Sequence, residues 1–344
     1  MHARLFSGGF LSKLAAPVLP GTDIDHAVRV LARGGLVAFP TETVYGLGAD
    51  ATRSEAVARI FAAKGRPRAH PLIVHLPAGA SLDGWVAGLG GDARALAAAF
   101  WPGPLTLIAP RGPRVIDDVT GGAATVGLRV PAHPVAQALL AAFGGAVAAP
   151  SANRFGAVSP TTAAHVVADL GGDVDYVLDG GACPVGVEST IVDVSGPAPA
   201  LLRPGGVPRE AIEAVLGRTL ATGSATPAPG TLPSHYAPHA RVITAHPAEL
   251  AAATAAAPGP VAVLAPAALL ARIALPAGAT AAPLPDDPAA MARELYGALR
   301  DLDGRGFATI VAALPDEAGL GAAIADRLRR AAGPRPAPEE AEEP

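Results

Sequence analysis

The sequence predicts an α/β protein of two domains, a large first domain and a small second one built on a parallel sheet. Three observations carry this reading. The 344 residues are 50% hydrophobic and only 16% charged, enough for a sizeable core and incompatible with intrinsic disorder. Short apolar runs alternate with stretches of helical apolar spacing along most of the chain. Between 220 and 233 the composition changes to Thr, Gly, Ser, Ala and Pro without periodicity, which marks a linker. Gly and Pro together supply 76 residues, so many corners are expected, although the fraction stays below that of low-complexity chains.

In the first domain, 23–33 carries Ile24, Ala27, Val28, Val30 and Leu31 near helical spacing and is ended by Gly34 and Gly35. A short buried strand over 36–39 follows, stopped by Pro40. Helices are then predicted at 54–63, 93–100, 135–143 and 161–170. Strands are predicted at 72–76, 105–109, 127–130, 146–149 and 189–194. Beyond the linker, strands at 241–244, 261–264 and 307–312 alternate with helices near 247–257, 288–302 and 320–331, a pattern of crossover connections between parallel strands. No internal repeat is visible.

The formal net charge is −4, and the segment 334–344 holds one arginine and four glutamates, leaving the body near −1. So neutral a body offers little long-range attraction for a phosphate backbone, and any anion site must be local. The single cysteine, Cys183, excludes an internal disulfide and a cysteine-based zinc site; it is read as a packed thiol in a reducing cytoplasm. Residues 1–20 make a poor signal peptide, because Ser7, Gly8 and Gly9 interrupt the apolar run. The uncharged stretch 250–271 is long enough to cross a bilayer, but Pro258, Pro260 and Pro266 lie inside it; a helix, a turn and a buried strand fit better.

Gly46, Gly48 and Ala51 formally match a dinucleotide-binding fingerprint, yet five residues separate them from the preceding strand where a tight turn is needed. No Walker A sequence or nucleophile elbow is present. Only two residues are lysine, Lys13 and Lys64, and Lys64 stands with Arg66, Arg68 and His70 in a seven-residue loop shaped by Gly65 and Pro67. That loop reads either as a solvated turn or as a polyanion site, since arginine forks match phosphate geometry. Thr41, Glu42 and Thr43, then Ser151 and Asn153, then Glu188, Ser189 and Thr190 each adjoin an apolar strand. Alone each is a turn or cap; with Arg129 and Arg203 they would line one polar crevice. His26, His133, His165, His239 and His246 are read as core or surface histidines, and Trp85 and Trp101 as core.

These residues resemble the YrdC-like family. The resemblance is carried by the run from Gly34 through Pro40 and Thr43 to Gly48, the loop around Lys64 and Arg66 with Pro71 and His75, and the stretch from Trp101 to Thr106. It continues through Gly127, Leu128 and Arg129, Pro150 to Asn153, Glu188 to Asp193, and Leu202 to Gly205. Ser234 to Pro238 and the stretch from Gly319 to Leu328 are similar to the longer, two-domain form of the family. The resemblance implies a large YrdC-like α/β domain with a twisted mixed sheet and a small Rossmann-like parallel α/β C-terminal domain. The expected division is an N-terminal extension over 1–21, the YrdC-like catalytic domain over 22–219, a linker and lid over 220–239, the small domain over 240–332 and a disordered acidic tail over 333–344.

The resemblance also implies an enzyme: a nucleotidyltransferase joining L-threonine, bicarbonate and ATP into L-threonylcarbamoyl-adenylate with release of pyrophosphate, with Mg²⁺ accompanying ATP. The product would pass to a tRNA threonylcarbamoyl transferase, for the modified adenosine at position 37 of tRNAs reading codons that begin with A. No membrane and no stable nucleic-acid complex are expected. By the same resemblance, Thr43, His75, Arg129, Ala149 and Ser189 form the threonine site. Lys64, Arg66, His70, Thr125, Ser151, Asn153, Ser159, Arg203 and Tyr236 form the ATP site, with Lys64 and Arg66 acting on the phosphates. Residues that hold a metal are not identified. Tyr236 in the linker is read either as packing at the start of the second domain or as a lid over ATP. A different class of function, an RNA-binding module without adenylate synthesis, stays open beside the enzyme and is disfavoured by the nearly neutral body.

Overall fold

The computed structural model describes residues 18–223 and 226–334. The expected N-terminal extension up to residue 17 and the acidic tail from residue 335 lie outside the described residues. The first domain runs α1 (Ile24–Ala32), β1 (Val37–Phe39), β2 (Gly46–Asp50), α2 (Ser54–Lys64), β3 (Ile73–His75), α3 (Gly91–Phe100), β4 (Leu105–Pro110) and α4 (Asp117–Thr120). It continues with β5 (Thr125–Arg129), α5 (Pro134–Phe143), β6 (Val147–Ala148), α6 (Ala163–Leu170), β7 (Tyr176–Val177), β8 (Thr190–Asp193), β9 (Ala200–Arg203), α7 (Arg209–Leu216) and β10 (Ala221–Thr222). Local chemistry sets the boundaries. Asp23 caps α1 by accepting the His26 amide at 2.8 Å. Gly65, at φ 63°, ends α2 in the left-handed conformation that glycine adopts freely, so the chain turns between Lys64 and Arg66.

These strands form one ten-stranded mixed sheet in the order β10-β9-β8-β4-β5-β3-β6-β2-β1-β7. Two pairings matter for function. Parallel β3 and β5 are in register so that His75 lies opposite Arg129, and the start of β8 lies beside the start of β4, with Thr190 opposite Leu105. β2 was not expected as a strand, because its glycines hide the pattern. Those glycines serve packing: a Cβ on Gly48 would meet Val147 at 2.7 Å and Phe39 at 2.8 Å. The formal dinucleotide fingerprint is thus half of an antiparallel pair with β1, not a strand-to-helix turn.

The second domain runs β11 (Arg241–Ala245), α8 (Leu250–Ala256), β12 (Val261–Pro266), α9 (Ala267–Leu270), β13 (Thr280–Leu284), α10 (Pro288–Gly304), β14 (Thr309–Ala313) and α11 (Leu320–Ala331). Its four strands are all parallel, in the order β11-β14-β12-β13. β13 escaped the sequence reading for a physical reason: it is an edge strand carrying Pro283, and proline is tolerated in a sheet only where no ladder donor is needed. The stretch 250–271 becomes α8, β12 and α9, and among the described residues no helix is long and apolar enough to cross a membrane. One apolar cluster joins the domains: Val44, Val158 and Val187 of the first pack with Leu295, Tyr296, Leu299 and Leu328 of the second.

Candidate active site

A cavity opens where the ends of β3 and β5 meet the turns after β1, β6 and before β8. The first wall is the turn between β1 and β2. Thr41 Oγ1 accepts the amides of Thr43 and Val44 at 3.2 Å each and shares a hydrogen bond with the Thr43 hydroxyl at 2.8 Å, which fixes Thr43 at the cavity. Glu42, between them, is buried and accepts from Arg129 Nη2 at 2.8 Å and from the Ala132 amide at 2.9 Å. The pair holds the Arg129 guanidinium in place, and Arg129 Nε stays buried without a partner. His75, alongside in register, is pushed down to about 3 by burial and then by the Arg129 charge, so its imidazole is neutral.

The second wall begins at Ser189. Its hydroxyl shares a hydrogen bond with Thr106 at 2.7 Å, and Arg203 Nη2 reaches its carbonyl at 2.9 Å and its Oγ at 3.2 Å. Arg203 Nη1 also donates to the Pro229 carbonyl at 3.1 Å, tying the connecting segment to the cavity. Pro229, Gly230, His235 and Tyr236 of that segment line the cavity, so the segment runs along it as a strap. Tyr236, with φ 61°, is the one non-glycine residue with positive φ among those described, a strained conformation that its packing must sustain. His235 Nδ1 is buried without a partner, and burial drives the ring down to about 3.

The cation-rich loop supplies the third wall. Arg66 lines the cavity, donates Nη2 to the Pro71 carbonyl at 3.0 Å and lies 5.7 Å from the Phe155 ring centroid, while its Nε has no partner. Lys64 sits behind this wall. Its Nζ donates to the Ser151 carbonyl at 2.6 Å and to the Asn153 carbonyl, and burial followed by the Arg66 charge pushes the ammonium well below the usual lysine range.

Of the residues singled out in the sequence, Thr43, His75, Arg129, Ala149, Ser189, Arg66, Ser151, Arg203 and Tyr236 all line this cavity. Lys64 and Asn153 form its backing, and His70 packs edge-on against Phe155 at 5.4 Å beside Arg66. Ser159 is turned to Glu188, donating to Oε1 at 2.6 Å. Thr125 is not brought to the cavity: it begins β5 opposite Pro110, while Arg129 ends that strand. Thr41, Glu188 and His235 line the cavity without having been assigned a role. Thr41 and Glu188 were expected in the sequence to line a polar crevice, and His235 adjoins the assigned Tyr236, which was its available signal. Cys183 is buried outside the lining, as a packed thiol would be.

A mixed α/β sheet ending in a buried, arginine-lined cavity, closed by a strap and joined to a parallel-sheet domain, defines a two-domain YrdC-like protein. Residues 29–205 match a family model described as telomere recombination, and residues 207–333 match the C-terminal domain of threonylcarbamoyl-AMP synthase. The threonylcarbamoyl-AMP synthase of Pyrococcus abyssi is 41% identical over 331 residues, covering 91% of this chain and 94% of that protein. That of Bacillus subtilis is 46% identical over 224 residues, covering 63% of this chain and 65% of that protein. A crystal structure of the Pyrococcus abyssi protein complexed with L-threonine superposes with a TM-score of 0.82 at 40% identity, covering 90% of this chain and 94% of that one. The chain belongs to the threonylcarbamoyl-AMP synthase family.

Proposed function

We propose that this protein makes L-threonylcarbamoyl-AMP from L-threonine, bicarbonate and ATP, with Arg129 binding the threonine carboxylate and Arg66 the phosphates. The observation that supports the assignment of roles is that two buried arginines, Arg66 and Arg129, line one cavity, each with a guanidinium not saturated by protein acceptors. The threonine amine attacks bicarbonate and water leaves, giving a carbamate. A carbamate oxygen attacks the α-phosphorus, the bond to the β-phosphate oxygen breaks, and pyrophosphate departs with the electron pair. No protein nucleophile is consumed, so the chain's contribution is positioning, charge and exclusion of water.

Thr43, neutral His75, Ala149 and Ser189 surround the proposed threonine position beside Arg129. Lys64 holds the Ser151 and Asn153 segment against the nucleotide side, Arg203 ties the strap, and Tyr236 covers ATP. Mg²⁺ would enter on the triphosphate oxygens. Among the described residues no group of three or more His, Cys, Asp or Glu gathers to cage it, and Glu42 and Glu188 are committed to Arg129 and Arg327. The product is the labile donor for N6-threonylcarbamoyladenosine in tRNA and passes, in the cytoplasm, to a tRNA threonylcarbamoyl transferase. The test is pyrophosphate release from ATP that requires both threonine and bicarbonate, with the adenylate detected by mass spectrometry. ATP turnover indifferent to threonine would defeat this assignment.

A further inference from the structure

Two fully buried side chains of the second domain contact residues that line the cavity. Arg327 of α11 donates Nε to Glu188 Oε2 at 2.6 Å, and the Tyr296 hydroxyl of α10 lies 2.9 Å from Oε2 and 3.1 Å from Oε1 of the same carboxylate. With Ser159, they fill the acceptor sites of a glutamate that lines the cavity immediately before Ser189. Burial alone would raise Glu188; the Arg327 and Arg203 charges and the Ser159 bond overcome it and hold the carboxyl at about 2. An ion pair this buried gives little net stability, whereas removing one partner strands a charge. Its placement therefore calls for an explanation beyond holding two domains together.

The same two residues seat the strap. The Arg327 guanidinium lies 5.0 Å from the Tyr236 ring centroid, and the Tyr296 ring stacks on Tyr236 at 5.9 Å with the planes 28° apart. Arg327 Nη2 also donates to the Pro204 carbonyl at 3.1 Å, the residue after Arg203. One guanidinium thus touches the strap, the loop that carries Arg203, and the carboxylate next to Ser189. The strained backbone of Tyr236 has no comparable support from the first domain's own rings: its ring partners are His235, Tyr296 and Arg327.

We propose that Tyr296 and Arg327 are positioning residues of the adenylation site, holding Glu188 and seating Tyr236 so that the second domain completes the nucleotide side of a cavity built by the first. This rests on the reading of the cavity given above. In the full-length protein, Tyr296→Phe keeps the ring stack and loses the bonds to Glu188, and Tyr296→Leu loses both. The KM for ATP should rise about tenfold or more in the second, which unseats Tyr236, and about threefold or less in the first, where the lost bonds bear on Glu188 beside Ser189 of the threonine side. Arg327→Lys, which keeps a cation beside Glu188, should retain more ATP affinity than Arg327→Met. Calorimetric titration with a non-hydrolysable ATP analogue reads the same affinities without turnover. If the wild-type protein binds the analogue but releases no pyrophosphate, the reaction is wrong and the titrations still decide the positioning role. Unchanged ATP KM and analogue affinity in both Tyr296 variants, whatever their melting temperatures, would reduce this contact to a domain interface.

Discussion

The two sheets of this molecule treat buried polar groups in opposite ways. Among the described residues, the buried side-chain atoms without a partner are Arg66 Nε, Arg129 Nε, Asn153 Oδ1 and His235 Nδ1, all in the first domain or the strap. Among the described residues the buried polar side chains of the second domain are partnered: Thr254 donates to the Leu250 carbonyl at 2.7 Å and Thr309 to the Pro258 carbonyl at 2.8 Å, while Arg327 donates to Glu188 of the first domain at 2.6 Å. A buried polar atom left without a partner costs about 1–3 kcal/mol, and three of these four belong to residues that line the cavity. The contrast teaches that the second domain is built to support and the first to bind.

The largest expected effect follows directly. Arg66→Ala and Lys64→Ala should each lower adenylate synthesis at least about tenfold, since losing a charge-assisted contact costs about 1.5–3 kcal/mol. Arg66 acts at the cavity, and Lys64 by holding the Ser151 and Asn153 carbonyls that back it. Arg272→Ala, an exposed arginine of the second domain, should change the rate less than about twofold if surface charge of that kind is uninvolved. Steady-state rates with matched circular dichroism decide it. Equal losses in Arg66→Ala and Arg272→Ala would erase the comparison.

Much of this site could be read from the chain because strand ends announce themselves. Thr43, Arg129, Ser151 and Ser189 each follow or precede a short apolar run, so placing the run places the polar residue at a sheet edge. What could not be read is which ends meet. Glu42 pairs with Arg129 across 87 positions, and Arg327 with Glu188 across 139, and both depend on strand order and domain docking that local periodicity does not encode. Four of the missing strands have equally physical causes. β2 is disguised by glycines needed for close packing, β13 by a proline that only an edge strand accepts, and β7 and β10 are two residues long. Thr125 shows the converse limit: its strand was found, but the resemblance alone could not say which end of it faces the cavity.

A second, smaller effect sharpens the comparison within the first domain. Arg129→Lys retains a cation beside Glu42 and so spares the buried pair, yet lysine cannot offer the two parallel donors of a guanidinium to a carboxylate. Threonine affinity should fall about fivefold or more while ATP affinity changes less than about twofold. Calorimetric titration of each ligand separates the two. Equal losses would mean that Arg129 serves the fold or the phosphates.

The smallest effect is one of stability against pH, and it belongs to two buried histidines that line the cavity. Unfolded histidine takes up a proton near pH ~6.5. Native His75 and His235, driven down to about 3 chiefly by burial, refuse it. Below pH ~6.5 the unfolded chain therefore binds more protons than the folded one, and stability falls as the pH drops towards the native value; above it, these two groups contribute nothing further to the slope. At pH ~6 each should cost about 0.8 kcal/mol relative to pH ~8. Glu188, held at about 2, adds its own loss only at pH values below the ordinary carboxylate range, outside this window. His70, His133 and His165 are also shifted down and add to the wild-type slope in the same direction, so the informative quantity is the change on substitution. His75→Asn and His235→Gln should each shrink the difference in unfolding free energy between pH ~8 and pH ~6 by about 0.8 kcal/mol, measured by urea titration, whatever each does to stability at pH ~8. A pH difference identical to wild type in both variants would show that these imidazoles take up protons in the folded cavity as readily as in the unfolded chain, and that the buried wall is wetter than its packing implies.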